Sequence, residues 1–75
     1  MEFSVEFKKL REAVGTQQEV ADILGLHVTT ISQFERQLSV PPEHRQRRYL
    51  QILSDRLIDF AQAEIMRRRK LEGII

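Results

Sequence analysis

The chain contains no cysteine and no tryptophan, and only three glycines and two prolines among its 75 residues. Without thiols there is no disulfide framework and no thiolate metal site, a composition compatible with a reducing compartment. The glycines are scattered at expected helix ends, so none belongs to a loop that cradles phosphate. Histidine is equally scarce: His27 and His44 share no ligand spacing such as His-Glu-x-x-His, and no metal or cofactor is expected. No serine stands at a recognisable spacing from an acid–base pair. A chain this short buries only ~60% of its unfolded surface, which leaves little for a substrate pocket beside a core. Neither catalytic residues nor a small-molecule substrate is therefore expected. No apolar run approaches the ~20 residues of a membrane span, and no h-region opens the chain, so neither membrane association nor a secretory leader is expected. An excess of one charge is also missing: twelve Lys and Arg against eleven Asp and Glu give a net +1.

What the chain does have is a dense local pattern over residues 16–36. Thr16 is a helix cap, its hydroxyl placed to accept from an orphan N–H near residues 18–19. Glu19 follows three residues later and completes a capping box, with negative charge at the positive end of the helix. Val20, Ala21 and Leu24 form one apolar face on a short helix. Gly25 takes positive φ at little cost and ends that helix. Leu26 plugs the turn, and Ile31 and Phe34 face inward on a second helix. His27, Val28, Thr29, Ser32 and Gln33 are left pointing outward.

This pattern resembles the helix-turn-helix of the Xre/Cro/lambdoid-repressor family, and is similar to the POU-specific domain. The resemblance is carried by Thr16-Gln17, Ala21, Leu24-Gly25, Thr30-Ile31-Ser32 and Glu35-Arg36, with weaker likeness from Phe7 through Pro42. It implies an all-α, lambda-repressor-like domain of four or five helices, with the second helix of the motif in the major groove of double-stranded DNA. By position, Val28, Thr29, Ser32 and Gln33 would meet base edges, while Gln17, His27, Arg36 and Gln37 would meet phosphates. Gln33 suits adenine, and Val28 and the Thr29 methyl suit thymine methyls. The chain departs from the family in four places. His27 stands where a small polar cap is usual, and Ile23 where a polar residue is common. The loop before Gln17 is one residue short. Gln37 stands where glycine is usual, so a left-handed backbone there costs roughly 1–2 kcal/mol.

Before the motif, Ser4 is expected to cap a helix that runs to about residue 14. Phe7, Leu10 and Val14 lie on its core face, and Lys8, Lys9 and Arg11 on its wet face. After the motif, Pro41-Pro42 punctuates the chain, and Pro42 suits the first turn of a new helix. From Glu43 to Glu72 there is no glycine or proline. Tyr49, Leu50, Leu53, Leu57, Phe60 and Ala61 share one apolar stripe, which permits a single long helix. The family would instead place two short helices there, with Ser54 capping the second. Ile52, off the stripe, favours such a break or a second interface.

Charge divides unevenly along the chain. Residues 1–42 carry four basic and six acidic side chains, a net −2; residues 43–75 carry eight and five, a net +3. The proposed recognition helix is nearly uncharged, so a monomer gains little from phosphate neutralisation and a homodimer is expected to double the contacts. Ile58, Ile65 and Met66 lie beside the main stripe and form the expected dimer seam, the bland alternative being scattered surface hydrophobes. Arg67-Arg68-Arg69-Lys70 is either a solvated helix end favoured by the dipole or a phosphate-contacting tail. No aromatic residues interleave with it to stack RNA bases. Gly73-Ile74-Ile75 is expected to fray.

The sequence thus reads as a DNA-binding unit over residues 1–62 followed by a basic extension over 63–75. The expected function is a sequence-specific transcriptional regulator, a repressor that reads DNA with residues about 28–36, in the cytoplasm with the nucleoid. The alternative is an antitoxin-like or adaptor module that grips a protein partner, for which apolar Ile23 and Val28 near the reading face speak.

Overall fold

The computed structural model describes the backbone of residues 2–72 and the side chains of residues 2–69. The expectations for Gly73–Ile75 and for the Lys70 side chain lie outside the described residues. Four α-helices follow one another, α1 (Phe3–Val14), α2 (Gln17–Leu24), α3 (Val28–Glu35) and α4 (Glu43–Glu72), and there is no strand among the described residues. The all-α expectation is met at its four-helix limit.

Helix α1 begins two residues earlier than Ser4 capping requires. Glu2 takes the N-cap position with no side-chain cap, and Ser4 lies inside the first turn. The cause is Phe3, which is buried and gives the helix a reason to start without a cap. Its ring lies 5.2 Å from Phe7 and 5.7 Å from Phe34, the latter edge-on. Phe7 meets Phe34 edge-on at 5.7 Å, and Tyr49 of α4 stacks on Phe34 at 6.1 Å. Such tilted and edge-on pairs contribute beyond their buried area. Around them close Val20, Ala21, Ile31 and Leu53, each with no exposed surface. Ala21 is small and fully buried where α2 and α3 pack together. Leu10, Val14, Leu24, Leu26, Val28, Tyr49 and Leu50 pack against this core as half-buried residues.

Helix α4 is one unbroken rod of 30 residues, about 45 Å at 1.5 Å per residue. Pro42 sits just ahead of it rather than in its first turn. The Pro42 carbonyl accepts from the N–H groups of Arg45 and Gln46 at 2.9 and 3.0 Å. Ser54 caps nothing, and Ile52 is half-buried on the continuous helix, so the two-helix alternative is ruled out. The apolar stripe also ends sooner than its periodicity suggests. Leu53 is fully buried and Leu57 half-buried, but Phe60 is 62% exposed and Ala61 is exposed. Phase on a helix says which way a residue points; it does not say whether another element is there to meet it. The molecule measures 53 × 22 × 17 Å, because the body packs on the first half of α4 and the second half projects from it.

Candidate nucleic-acid interface

The geometry of the motif is set by hydrogen bonds at four helix ends. At the start of α2, the Glu19 N–H donates to Thr16 Oγ1 and the Thr16 N–H donates to Glu19 Oε1, both at 3.2 Å. Two orphan donors are thereby satisfied reciprocally. At its end Gly25 adopts φ 68°, and the Leu26 N–H closes back on the Ala21 carbonyl at 2.9 Å. That six-to-one closure sets the sharp exit into α3.

His27 performs as the cap of α3. Its Nδ1 accepts from the Thr29 N–H at 3.3 Å and lies 3.1 Å from Thr29 Oγ1. The imidazole thus does the work of the small polar residue usual at this position. The end of α3 repeats the closure seen at Gly25: the Leu38 N–H donates to the Gln33 carbonyl at 2.9 Å, around Gln37 at φ 61°. The left-handed backbone expected at Gln37 is present, held in a side chain that L-residues rarely place there. Its Nε2 donates to Glu2 Oε2 at 3.3 Å.

The surface offered by α3 is polar and nearly neutral. Thr29 and Gln33, one turn apart, are exposed, and Ser32 beside them is half-buried. Val28 is half-buried and packs against the core, so it presents only part of its surface outward. Arg36 and Gln37 are exposed beyond the helix end. His27 is exposed at its start, so the four residues expected at base edges are flanked by residues expected at phosphates.

One element of the site escaped the sequence reading. Arg11, assigned to the wet face of α1, has a side chain only 15% exposed and is forked onto Glu35, itself 5% exposed. Arg11 Nε donates to Glu35 Oε2 at 2.9 Å and Arg11 Nη2 donates to Glu35 Oε1 at 2.7 Å. Bidentate geometry of this kind fixes orientation as well as adding energy. The hydrogen bond to Glu35 raises the Arg11 guanidinium above its ordinary value, partly offset by burial, with the Glu35 and Glu12 charges adding to the rise. Gln17, expected at a phosphate, also turns its amide to Glu35, at a long 3.5 Å. The network ties α1 and the start of α2 to the end of α3, and so fixes how α3 stands on the body. A signal was there to find: Arg11 lies four residues after buried Phe7, and Glu35 four after buried Ile31. Charges so placed are each turned toward the core, although their spacing does not name the partner.

Residues 7–54 match the family model for the helix-turn-helix, of the Xre/Cro type. The chain belongs to this family. The match runs from Phe7 in α1 to Ser54 in α4 and takes in part or all of each of the four helices, leaving Phe3 of the core outside it. No curated protein and no solved structure gives a significant match. As a member of the Xre/Cro-type helix-turn-helix family, the protein is a DNA-binding regulator with an all-helical fold. The family is regulatory rather than enzymatic. Among the described residues no helix is long and apolar enough to cross a membrane, and no cluster of acidic or histidine side chains has the makings of a metal site.

Proposed function

We propose that this Xre/Cro-type protein is a sequence-specific transcriptional repressor that occupies a duplex operator as a homodimer. The observation that carries the reading is the exposed polar face of α3, Thr29 and Gln33 with Ser32, held on a helix fixed at both ends by caps and braced by Arg11–Glu35. Rigid presentation of short polar side chains is what major-groove readout requires.

In this reading Gln33 pairs bidentately with adenine, and the Thr29 methyl and the outward part of Val28 pack on thymine methyls, while Ser32 adds a hydrogen bond of low selectivity. Gln17, His27, Arg36 and Gln37 meet the flanking phosphates, and the N-terminal amides of α2 add to that contact. Ile58, Ile65 and Met66, exposed at 52, 52 and 70%, supply apolar surface for the dimer. Residues 1–62 act as the DNA-binding unit and 63–75 as a basic extension. Repression follows from occupancy, since an operator filled by the dimer is closed to other proteins. We place the repressor in the cytoplasm with the nucleoid.

The adaptor alternative draws on apolar Ile23 and Val28 near the reading face and on the near-neutral charge there; the neutral face stands, while both apolar residues are half-buried, which reduces what they offer a protein partner. Selection from a random duplex library at near-physiological salt decides the matter. The repressor reading expects an enriched palindrome with A·T steps and half-sites about one helical turn apart. A folded sample that enriches nothing would overturn it in favour of a protein partner.

A further inference from the structure

The second half of α4 leaves the body with an unpartnered apolar strip. Ile58, Ala61 and Ile65 follow one another at spacings of three and four residues, the two isoleucines each 52% exposed, with half-buried Leu57 along one flank. This is the 3-4 spacing of a helix-pairing seam, with small Ala61 at its middle allowing close approach. Of the three seam residues proposed above, Met66 lies about 100° round the helix from Ile65, so this strip keeps Ile58 and Ile65 and leaves Met66 out. Toward the body the same face continues through Gln51 and Arg47, both exposed, so a second helix laid along it meets no wall.

Charge decides the occupant and its direction. Asp55 flanks the near end of the strip and Arg69 the far end, on the same side, and both are exposed. Two copies in parallel would stack Arg67, Arg68 and Arg69 of one helix beside those of the other. Two antiparallel copies set each Asp55 against the other copy's Arg69, in two equivalent pairs. We propose that a second copy of this chain pairs antiparallel along α4, the helices crossing near Ala61 and Gln62.

The length of α4 adds an independent argument. From the crossing to the stretch Tyr49–Leu53, where α4 packs on the core, runs about eight to twelve residues, so the two bodies stand about 25–37 Å apart along the helix axis at 1.5 Å per residue. The upper part of that range reaches one turn of B-DNA, the spacing at which two recognition helices enter successive major grooves on one face. A parallel pair would instead set the bodies side by side at one end. The inference deepens the homodimer reading above and rests on it.

The chain has no cysteine, so introduced ones report alone. In the full chain under mild oxidation, Gln62→Cys is expected to form a disulfide-linked dimer efficiently. Ser54→Cys is not, because antiparallel pairing holds its two copies more than 20 Å apart. Asp55→Arg is expected to weaken self-association roughly tenfold by sedimentation, and Asp55→Arg with Arg69→Asp to restore it. Efficient linkage at Ser54→Cys, no recovery in the charge-swapped protein, or a monomer at all accessible concentrations would each overturn the proposal. Duplex selection is scored separately: a monomer that still enriches a single motif keeps the DNA reading and removes only this dimer.

Discussion

At the scale of single residues, the body depends on one partly buried ion pair. Removing one partner of such a pair costs more than the pair itself contributes, because the other charge is left in a place built for two. Arg11→Met should therefore destabilise the protein by about 3 kcal/mol at neutral pH, measured by urea unfolding. Arg11→Met with Glu35→Leu should recover most of the stability; if it is as unstable as the single variant, the pair is not what holds α1 to α3. Gln33 has the opposite character, exposed and without a structural partner on its amide among the described residues. Gln33→Ala should leave unfolding unchanged and weaken operator binding by ~1–3 kcal/mol, with relaxed preference at a single base position. An equal loss on all sequences would assign Gln33 to the phosphates instead.

At the scale of elements, the two short helices of the motif end in the same six-to-one closure, one around Gly25 and one around Gln37. No atom lies within 4 Å of where a Cβ would stand at Gly25, so the cost of filling it is conformational alone. Gly25→Ala should destabilise by about 1 kcal/mol, and Gln37→Gly should stabilise by a similar amount, both read from urea midpoints at unchanged m. A Gln37→Gly protein no more stable than wild type would mean that the Glu2 contact at 3.3 Å offsets the backbone strain. The turn at Gly25, the Thr16–Glu19 box and the inward Ile31 and Phe34 were legible in the sequence because each is settled by residues within a turn or two, whereas the turn at Gln37 was legible only through the family resemblance. What was not legible is long-range. Arg11 and Glu35 are 24 positions apart, and nothing local marks one as the other's partner. Phe3 overrides capping preference through rings contributed by α1 itself and α3. Phe60 has the phase of a core residue but stands where the body has already ended. The continuity of α4 over 43–72 was open in the sequence, since an absent glycine or proline permits a long helix without requiring one.

At the scale of the whole molecule, the basic surplus and the reading face lie on different parts of an elongated shape. The base-reading residues are neutral, and the proposed phosphate partners include one permanent cation per copy, Arg36. Each phosphate neutralised by a cation releases counterions and contributes ~0.9 to the slope of log K against log salt. A dimer using Arg36 alone should therefore bind its operator with a slope of about −2, shallow for a DNA-binding protein, and Arg36→Gln should flatten it toward zero. Arg67, Arg68 and Arg69 offer a contrary outcome. Were all three laid on the backbone in each copy, they would steepen the slope by about 5. The antiparallel arrangement of α4 argues against that, because it commits Arg69 to Asp55 of the other copy and carries the run back along the partner's helix. A slope near −2 that collapses in Arg36→Gln would leave sequence readout and dimer geometry as the main sources of affinity. A slope beyond about −6 would instead make the basic end of α4 a second DNA contact, and the alignment of α4 would have to be redrawn to free it.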